Sequence, residues 1–191
     1  MHRNILPCLT DPRLGVGGAR QAHEVAAGLP TAVTLAAEDQ SLAERLRDRI
    51  ALPTFRIYLS NDVAGAEIGG AVKNVLAIAC GVVDGKGLGQ NARAALIARG
   101  FAEMTRFGLA YGARRETLGG LSGLGDLVLT CSSTSSRNFS LGKGIGEGRS
   151  PDELMSDRKT VAEGAFTAPV LARLAREKGI DMASPRSIWW W

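Results

Sequence analysis

A stretch of small and apolar residues from Glu67 to Cys80 constrains the fold of this chain more than any other. Its sequence is Glu-Ile-Gly-Gly-Ala-Val-Lys-Asn-Val-Leu-Ala-Ile-Ala-Cys, and a helix of this composition is buried on nearly every side. Lys73 lies in the middle of the predicted helix, where an ammonium group without a partner is costly. Two interpretations are open: Lys73 exchanges a proton with a ligand, or its stem covers apolar surface while its head reaches water.

Composition and charge argue against several classes of protein. The 191 residues are 45% hydrophobic and carry a formal net charge of +4, with basic and acidic residues interleaved, which does not favour nucleic-acid binding. The cysteines, Cys8, Cys80 and Cys131, lie far apart without CxxC spacing, so neither a disulfide framework nor a metal site is expected, and a reducing cytoplasm fits. No uninterrupted apolar run approaches about 18 residues, so no membrane span is expected.

The first 60 residues predict part of an open α/β sheet. Helices are predicted over residues 21–28 and 41–50, and strands over 31–37 and 55–60. This alternation of helix and strand is typical of α/β proteins. Because two strands do not form a stable sheet, a further strand is expected elsewhere in the chain.

Residues 1–20 are predicted to be irregular, because prolines and glycines break any periodicity there. The segment Gly15-Val-Gly-Gly-Ala-Arg20 looks at first like a dinucleotide-binding fingerprint. The third glycine of GxGxxG is missing, however, and no strand is predicted to lead into it. Pyrophosphate binding is therefore not expected at this segment.

From residue 61 onward the pattern is helical. The helix that carries Lys73 is predicted to begin at a cap, Asn61 or Asp62, and to end near Cys80 or Val83. Further helices are predicted over residues 91–111, from 150 onward and over 168–178. The predicted fold is therefore mostly α, with a partial Rossmann-type α/β remnant in residues 1–60 and a helical substrate-binding domain in residues 61–191.

Three polar clusters interrupt surroundings that are otherwise apolar or rich in small residues. They are Lys73-Asn74, Asp126 with Thr130 one helical turn later, and a hydroxyl-rich turn that ends in Ser136-Arg137-Asn138. A carboxylate close to a buried lysine would hold it in place and influence its proton transfer. A guanidinium with hydroxyl and amide neighbours suits a phosphate. Together the clusters predict a small phosphorylated substrate whose hydroxyl or carbonyl group reacts at Lys73.

Each cluster also has a purely structural interpretation. Asp126 could simply cap a helix, and Arg137 could be solvated on an exposed loop. No Ser-His-Asp set is apparent, because the histidines are only His2 and His23. His23 is more typical of a surface helix residue than of a catalyst.

Several motifs occur together in an order and spacing that resemble one enzyme family. They are Ala-His-Glu-Val-Ala-Ala-Gly-Leu-Pro-Thr-Ala at 22–32, Glu-Ile-Gly-Gly-Ala-Val-Lys-Asn at 67–74, Gly-Gly-Leu-Ser-Gly-Leu-Gly-Asp-Leu-Val-Leu-Thr-Cys at 119–131, Ser-Arg-Asn at 136–138 and Val-Ala-Glu-Gly at 161–164. Over about residues 18–182, the chain resembles the bacterial NAD(P)-dependent glycerol-3-phosphate dehydrogenases.

The resemblance implies a fold, a reaction and a set of site residues. The helical domain would be of the 6-phosphogluconate-dehydrogenase-like type. The reaction would interconvert dihydroxyacetone phosphate and sn-glycerol 3-phosphate with NAD or NADP, for glycerophospholipid synthesis in the cytoplasm. The family's proton acceptor falls on Lys73, and its substrate-binding residues fall on Gly18, Lys73, Asn74, Asp126, Thr130, Ser136, Arg137 and Asn138. Its cofactor contacts fall on Arg137, Val161 and Glu163.

The chain departs from the family pattern near both ends. It has no GxGxxG turn, and Gly18-Ala-Arg-Gln-Ala22 stands where the family usually has Gly-Pro-Ser-Phe-Ala. Residues 183–191, which end in three tryptophans, do not resemble the family. We therefore expect a truncated form of the enzyme, without the turn that cradles the cofactor pyrophosphate.

Other hypotheses stay open beside this one. The chain could be a non-catalytic helical remnant that forms a homodimer or binds a phosphorylated ligand, which the missing GxGxxG supports. It could also be a related dehydrogenase with a different substrate, although the Ser-Arg-Asn turn favours a phosphate over a carboxylate.

Overall fold

Helices make up most of the structure, a computed structural model that describes residues 14–18, 22–155 and 162–182. A small sheet precedes them, which confirms the predicted mostly α fold with an α/β portion at its start. The strands are β1 (Leu14–Gly17), β2 (Thr31–Ala37) and β3 (Phe55–Ser60). The helices are α1 (Ala22–Ala26), α2 (Gln40–Ile50), α3 (Val63–Gly85), α4 (Gly89–Ala110), α5 (Arg115–Gly119), α6 (Asp126–Ser132), α7 (Arg137–Gly146), α8 (Pro151–Met155) and α9 (Glu163–Glu177), with a π-helical turn at Leu121–Gly125.

Helix α3, which carries Lys73, is the central element, and α4, α6, α7 and α9 all pack on it. Its N-cap is Asp62, one of the two predicted candidates: Oδ1 accepts a hydrogen bond from the Gly65 N–H at 2.9 Å, and Oδ2 accepts one from the Arg114 N–H at 2.8 Å. Six buried residues of α3 between Ile68 and Cys80 belong to the main hydrophobic cluster, with Met104, Phe107, Leu118, Leu127 and Leu171. A helix enclosed by partners needs apolar residues on all sides, which explains the composition of this stretch.

By length and composition, α3 would also suit a membrane-crossing helix, and it is the one helix of the described ranges that meets both criteria. The sequence analysis expected no membrane span, because it considered only apolar runs without glycine or charge, and α3 contains both. However, 67% of the most apolar window of α3 is buried inside the protein. Its apolar surface is therefore already used in packing against the neighbouring helices.

Two glycines let α3 and α7 cross with their backbones in contact. A Cβ atom at Gly81 would overlap the carbonyl oxygen of Phe139, and a Cβ atom at Gly142 would overlap the carbonyl oxygen of Ile78. Because backbone atoms surround both positions, no change of rotamer could make room for a side chain. This close crossing sets the distance between the residues that the two helices contribute to the candidate site.

The sheet contains a strand that the sequence did not predict. Strands β2 and β3 match the predicted strands and pair in parallel, with Thr31 opposite Phe55. Residues 1–20 were expected to be irregular, but β1 pairs antiparallel with β2, with Leu14 opposite Ala37. Its glycine-rich sequence has low strand propensity, so the strand depends on its hydrogen bonds with β2. This corrects the expectation that residues 14–17 are irregular.

Several helix boundaries differ from the predicted ones. Helix α4 begins at Gly89 rather than Asn91, and its N-cap Leu88 makes no side-chain cap hydrogen bond. Helix α9 begins at Glu163 rather than at 168, with Pro169 inside it. A proline usually marks the first turn of a helix, so the sequence pattern pointed to a later start. The division into domains at residues 60 and 61 stays a prediction.

Candidate active site

The ammonium group of Lys73 has a carboxylate partner. Lys73 Nζ donates a hydrogen bond to Asp126 Oδ2 at 2.5 Å, and the two side chains are only 20% and 7% exposed. The two sequence clusters that contain these residues are therefore brought together, although 53 positions separate them in the chain. The pair offsets the cost of burying either charge alone. The residual exposure of Lys73 leaves its ammonium group accessible to a small ligand.

Asp126 is held from both sides. It is the first residue of α6, and Thr130 Oγ1, one turn later, donates a hydrogen bond to Asp126 Oδ1 at 3.3 Å. The interpretation of Asp126 as a helix cap is wrong, because Gly125 is the N-cap of α6 and makes no side-chain cap hydrogen bond. The carboxylate instead bridges Lys73 and Thr130, so its orientation is fixed before any ligand binds.

Ser136-Arg137-Asn138 forms the start of a helix and not a turn. Ser136 is the N-cap of α7, and its Oγ accepts a hydrogen bond from the Phe139 N–H at 3.3 Å. Arg137 is the first residue of α7. The N-terminus of a helix carries a partial positive charge, which adds to the full charge of the guanidinium. The segment therefore presents positive potential to an anion such as phosphate.

These residues line one open cleft of about 220 Å³. Its lining residues are Lys73, Asn74, Asp126, Leu129, Thr130, Ser133, Ser135, Ser136, Arg137 and Asn138. All predicted substrate-binding residues except Gly18 are among them. Gly18 lies at the end of β1, where a Cβ atom would be 3.0 Å from Val33 Cα, and its role as a substrate contact stays a prediction.

Sequence reasoning did not assign Leu129, Ser133 and Ser135, which also line the cleft. Helical spacing could have found two of them, because Leu129 and Ser133 follow Asp126 by three and seven residues. Ser135 has no such signal, because the loop that carries it follows α6 and has no regular period. Of the predicted cofactor contacts, Val161 lies outside the described residues.

Glu163, the remaining predicted cofactor contact, joins α9 to the cleft. Asn74 Nδ2 donates a hydrogen bond to Glu163 Oε2 at 3.3 Å. In addition, Asn138 Oδ1 accepts a hydrogen bond from the Gly164 N–H at 2.9 Å. The N-cap of α9, Ala162, has no side chain that can cap, so Asn138 caps this helix from α7. Two amides that line the cleft are thereby fixed by the start of the last helix.

We predict that replacing Asn138 by alanine lowers the free energy of unfolding by about 1–2 kcal/mol, because the buried Gly164 N–H loses its acceptor. Asn138→Asp keeps an oxygen at the capping position and should retain most of the stability. Urea denaturation of wild type and both variants measures the difference. Equal stability of the alanine and aspartate variants would contradict the capping role.

The buried thiols Cys80 and Cys131 lie on α3 and α6, the same two helices as Lys73 and Asp126. A hydrogen bond with the Cys80 thiol, together with burial, raises the pKa of the Cys131 thiol. A thiol with a raised pKa forms little thiolate and is a poor nucleophile or metal ligand. Across the described part of the chain, no group of three His, Cys, Asp or Glu residues is placed to hold a metal ion.

Comparison with known proteins finds one family. Residues 62–188 match the family model of the NAD-dependent glycerol-3-phosphate dehydrogenase C-terminus. Glycerol-3-phosphate dehydrogenase (NAD(P)+) of Erythrobacter litoralis is 74% identical over 167 residues, which cover 87% of this chain and 51% of that protein. The protein of the same name from Novosphingobium aromaticivorans is 74% identical over 170 residues, with the same coverage of 87% and 51%.

A solved structure agrees with these sequence matches. The crystal structure of glycerol-3-phosphate dehydrogenase from Coxiella burnetii has a TM-score of 0.86 and 44% identity, and the match covers 89% of this chain and 52% of that one. The chain spans about half the length of the curated relatives it matches. The sequence motifs, the fold and the cleft thus agree that this chain belongs to the NAD-dependent glycerol-3-phosphate dehydrogenase family, whose C-terminal domain it contains.

Proposed function

We propose that the cleft is the substrate site of a glycerol-3-phosphate dehydrogenase that interconverts sn-glycerol 3-phosphate and dihydroxyacetone phosphate. The observation that carries the proposal is the position of the Lys73–Asp126 pair in the same cleft as Arg137. A proton-transferring group and an anion-binding group are both needed for a phosphorylated alcohol, and they lie on opposite helices, α3 and α7. The names of the relatives support the same substrate.

The residues of the cleft divide between phosphate binding and positioning of the reacting carbon. Arg137 and the N-terminus of α7 bind the phosphate, with the Ser136 hydroxyl as a further donor. Asn74, Thr130 and Asn138 provide amide and hydroxyl groups for the oxygens of the three-carbon skeleton. A substrate held at both ends presents its C2 oxygen to the Lys73 ammonium group.

Lys73 transfers the proton at the C2 oxygen. In the direction of reduction, the ammonium group donates a proton to the carbonyl oxygen; in the direction of oxidation, the neutral amine accepts the hydroxyl proton. Asp126 orients Nζ, and Thr130 fixes the carboxylate. A bound nicotinamide supplies or accepts the hydride at C2.

The polar groups around the cleft fit the nicotinamide end of NAD or NADP. The Glu163 carboxylate can accept hydrogen bonds from ribose hydroxyl groups, and Arg137 can contact a phosphate oxygen. We also propose Val161 as a cofactor contact. No GxGxxG turn for the pyrophosphate occurs in the 191 residues, so most of the binding energy for a dinucleotide has to come from elsewhere.

We also propose a cytoplasmic location, a division into domains at residues 60 and 61, and a homodimer as one form of assembly.

A phospho-ligand binding module without redox chemistry is the second candidate function. The charged and hydroxyl side chains of the cleft favour it, because they can bind glycerol 3-phosphate without a dinucleotide. An assay of NADH or NADPH oxidation with dihydroxyacetone phosphate distinguishes the two. Turnover that Lys73→Ala abolishes supports the enzyme, whereas binding of glycerol 3-phosphate without turnover supports the module.

We predict that Arg137→Gln weakens the binding of glycerol 3-phosphate about tenfold or more, because a charge-assisted contact to phosphate is lost. Isothermal titration calorimetry of wild type and variant measures this. Arg149→Gln, which removes the same charge from an exposed position after α7, is the matched control and should bind like wild type. If wild type does not bind, or if both variants bind equally, the proposed substrate site is wrong.

A further inference from the structure

One glycine of α3 has no explanation in the packing of the fold. At Gly65, Gly69, Gly81 and Gly85 of this helix, an added Cβ atom would overlap a neighbouring residue, so close packing accounts for each of them. At Gly70, apart from its chain neighbours and the adjacent turns of helix backbone, nothing in the described residues lies within 4 Å of the added Cβ position. Gly70 also lacks the positive φ that would require glycine. A glycine in the middle of a helix lowers the stability of the helix relative to alanine. Gly70 therefore destabilises α3, and no packing contact explains why a glycine is present.

Gly70 lies beside the candidate active site. It precedes Lys73 by three residues and Asn74 by four, so it lies on the same side of α3, one turn towards the N-terminus. Both of those residues line the cleft, and Gly70 itself is partly exposed. Ala71 follows it with a side chain of a single methyl group. Partly exposed helix backbone without a side chain therefore lies one turn from Lys73.

We propose that Gly70 is the contact surface for the nicotinamide ring, a role that rests on the proposed function. The reacting atoms of hydride transfer have to approach within about 3–3.5 Å, so the ring must stack beside the same carbon whose oxygen meets Lys73. A flat ring approaches a helix most closely where no side chain stands between them. Gly70 provides such a position one turn from Lys73, and any larger side chain there pushes the ring away from the substrate.

The test measures ring contact with reduced nicotinamide mononucleotide by saturation-transfer difference NMR. Spectra are recorded with and without glycerol 3-phosphate, which cannot react with a nicotinamide that is already reduced. We expect saturation of the ring protons in wild type, a weaker signal in Gly70→Ala, and a signal reduced about tenfold or more in Gly70→Leu, because the side chain occupies the space of the ring. The affinity for glycerol 3-phosphate should stay within about twofold of wild type in both variants, because Gly70 is not among the residues that line its cleft.

Thermal unfolding provides a second readout that separates this role from a structural one. Gly70→Ala improves the helix propensity of α3 without a clash and should raise the melting temperature by about 2–4 °C. Loss of ring contact in a more stable protein cannot come from a folding defect. Gly119→Leu is the matched control, because Gly119 is a helical glycine that also has open space at its Cβ position, and it should retain the ring signal.

The outcomes separate this inference from the proposed function. Ring contact that falls in the order wild type, Gly70→Ala and Gly70→Leu supports the inference, even if glycerol 3-phosphate does not bind and the proposed substrate is wrong. Equal ring contact in all three proteins overturns it, as does the absence of ring contact in wild type while glycerol 3-phosphate binds. Loss of ring contact in the Gly119→Leu control to the same degree also overturns it.

Discussion

Replacing Asp126 by leucine is expected to lower the free energy of unfolding by about 3 kcal/mol and, under the proposed function, to abolish turnover, because it leaves the largely buried Lys73 ammonium group without its counterion. Replacing both partners, as Lys73→Met with Asp126→Leu, should recover most of that stability but none of the activity. The reason is that the double variant contains no uncompensated charge, yet it also has no group that transfers a proton.

Denaturation in urea, analysed as a double-mutant cycle, measures the coupling energy of this pair. The exposed pair of Arg173 and Glu177, with side chains 65% and 60% accessible, provides the control cycle and should show coupling below about 1 kcal/mol. A coupling energy for Lys73 and Asp126 as small as that of the control would contradict the account of a pair held together in the cleft.

Replacing Gly142 by alanine is expected to destabilise the protein by about 3 kcal/mol or more, although it adds only one methyl group. The methyl group would overlap the backbone of Ile78, so α3 and α7 would have to separate. Separation would move Lys73 and Asn74 on one helix away from Arg137 and Asn138 on the other. Binding of glycerol 3-phosphate should therefore weaken together with stability.

Gly119→Ala is the matched control for this prediction, because nothing in the described residues lies within 4 Å of its Cβ position. Its stability should be unchanged or higher by at most about 1 kcal/mol. Thermal and urea unfolding of both variants test the difference. If Gly142→Ala is as stable as Gly119→Ala, the close crossing of α3 and α7 does not exist in solution.

Regular elements with strong local signals could be predicted from the sequence. Strands β2 and β3 were predicted at their observed bounds, because they combine β-branched and aromatic residues between turn residues. The start of α3 was predicted from two adjacent candidate caps, Asn61 and Asp62, and the cap hydrogen bond of Asp62 is local. Such interactions lie within a few residues of one another, and the sequence pattern alone contains them.

Elements that depend on distant partners could not be predicted in this way. Strand β1 forms because β2 lies beside it, and its own residues give no strand signal. The start of α9 is capped by Asn138 on another helix, 26 residues earlier, so its own N-cap residue, Ala162, gives no sign of it. The polar clusters of the candidate site could be found in the sequence. The hydrogen bond between Lys73 and Asp126 could not, because only the fold brings these two residues together.

Glycines show the same contrast within one helix. The sequence of α3 shows several glycines but not what each one faces. The structure separates those that allow close packing, such as Gly81 against α7, from Gly70, which faces no described neighbour. That distinction links the packing of the fold to the proposed contact with the nicotinamide ring.

A crystal structure of this chain grown with glycerol 3-phosphate tests the central claim most directly. We predict density for the phosphate within hydrogen-bond distance of Arg137 at the N-terminus of α7, and for the C2 hydroxyl group at about 3 Å from Lys73 Nζ. Asp126 should keep its hydrogen bond to Lys73 in the complex. Density for the ligand outside this cleft, or with its C2 hydroxyl group out of reach of Lys73, would contradict the account.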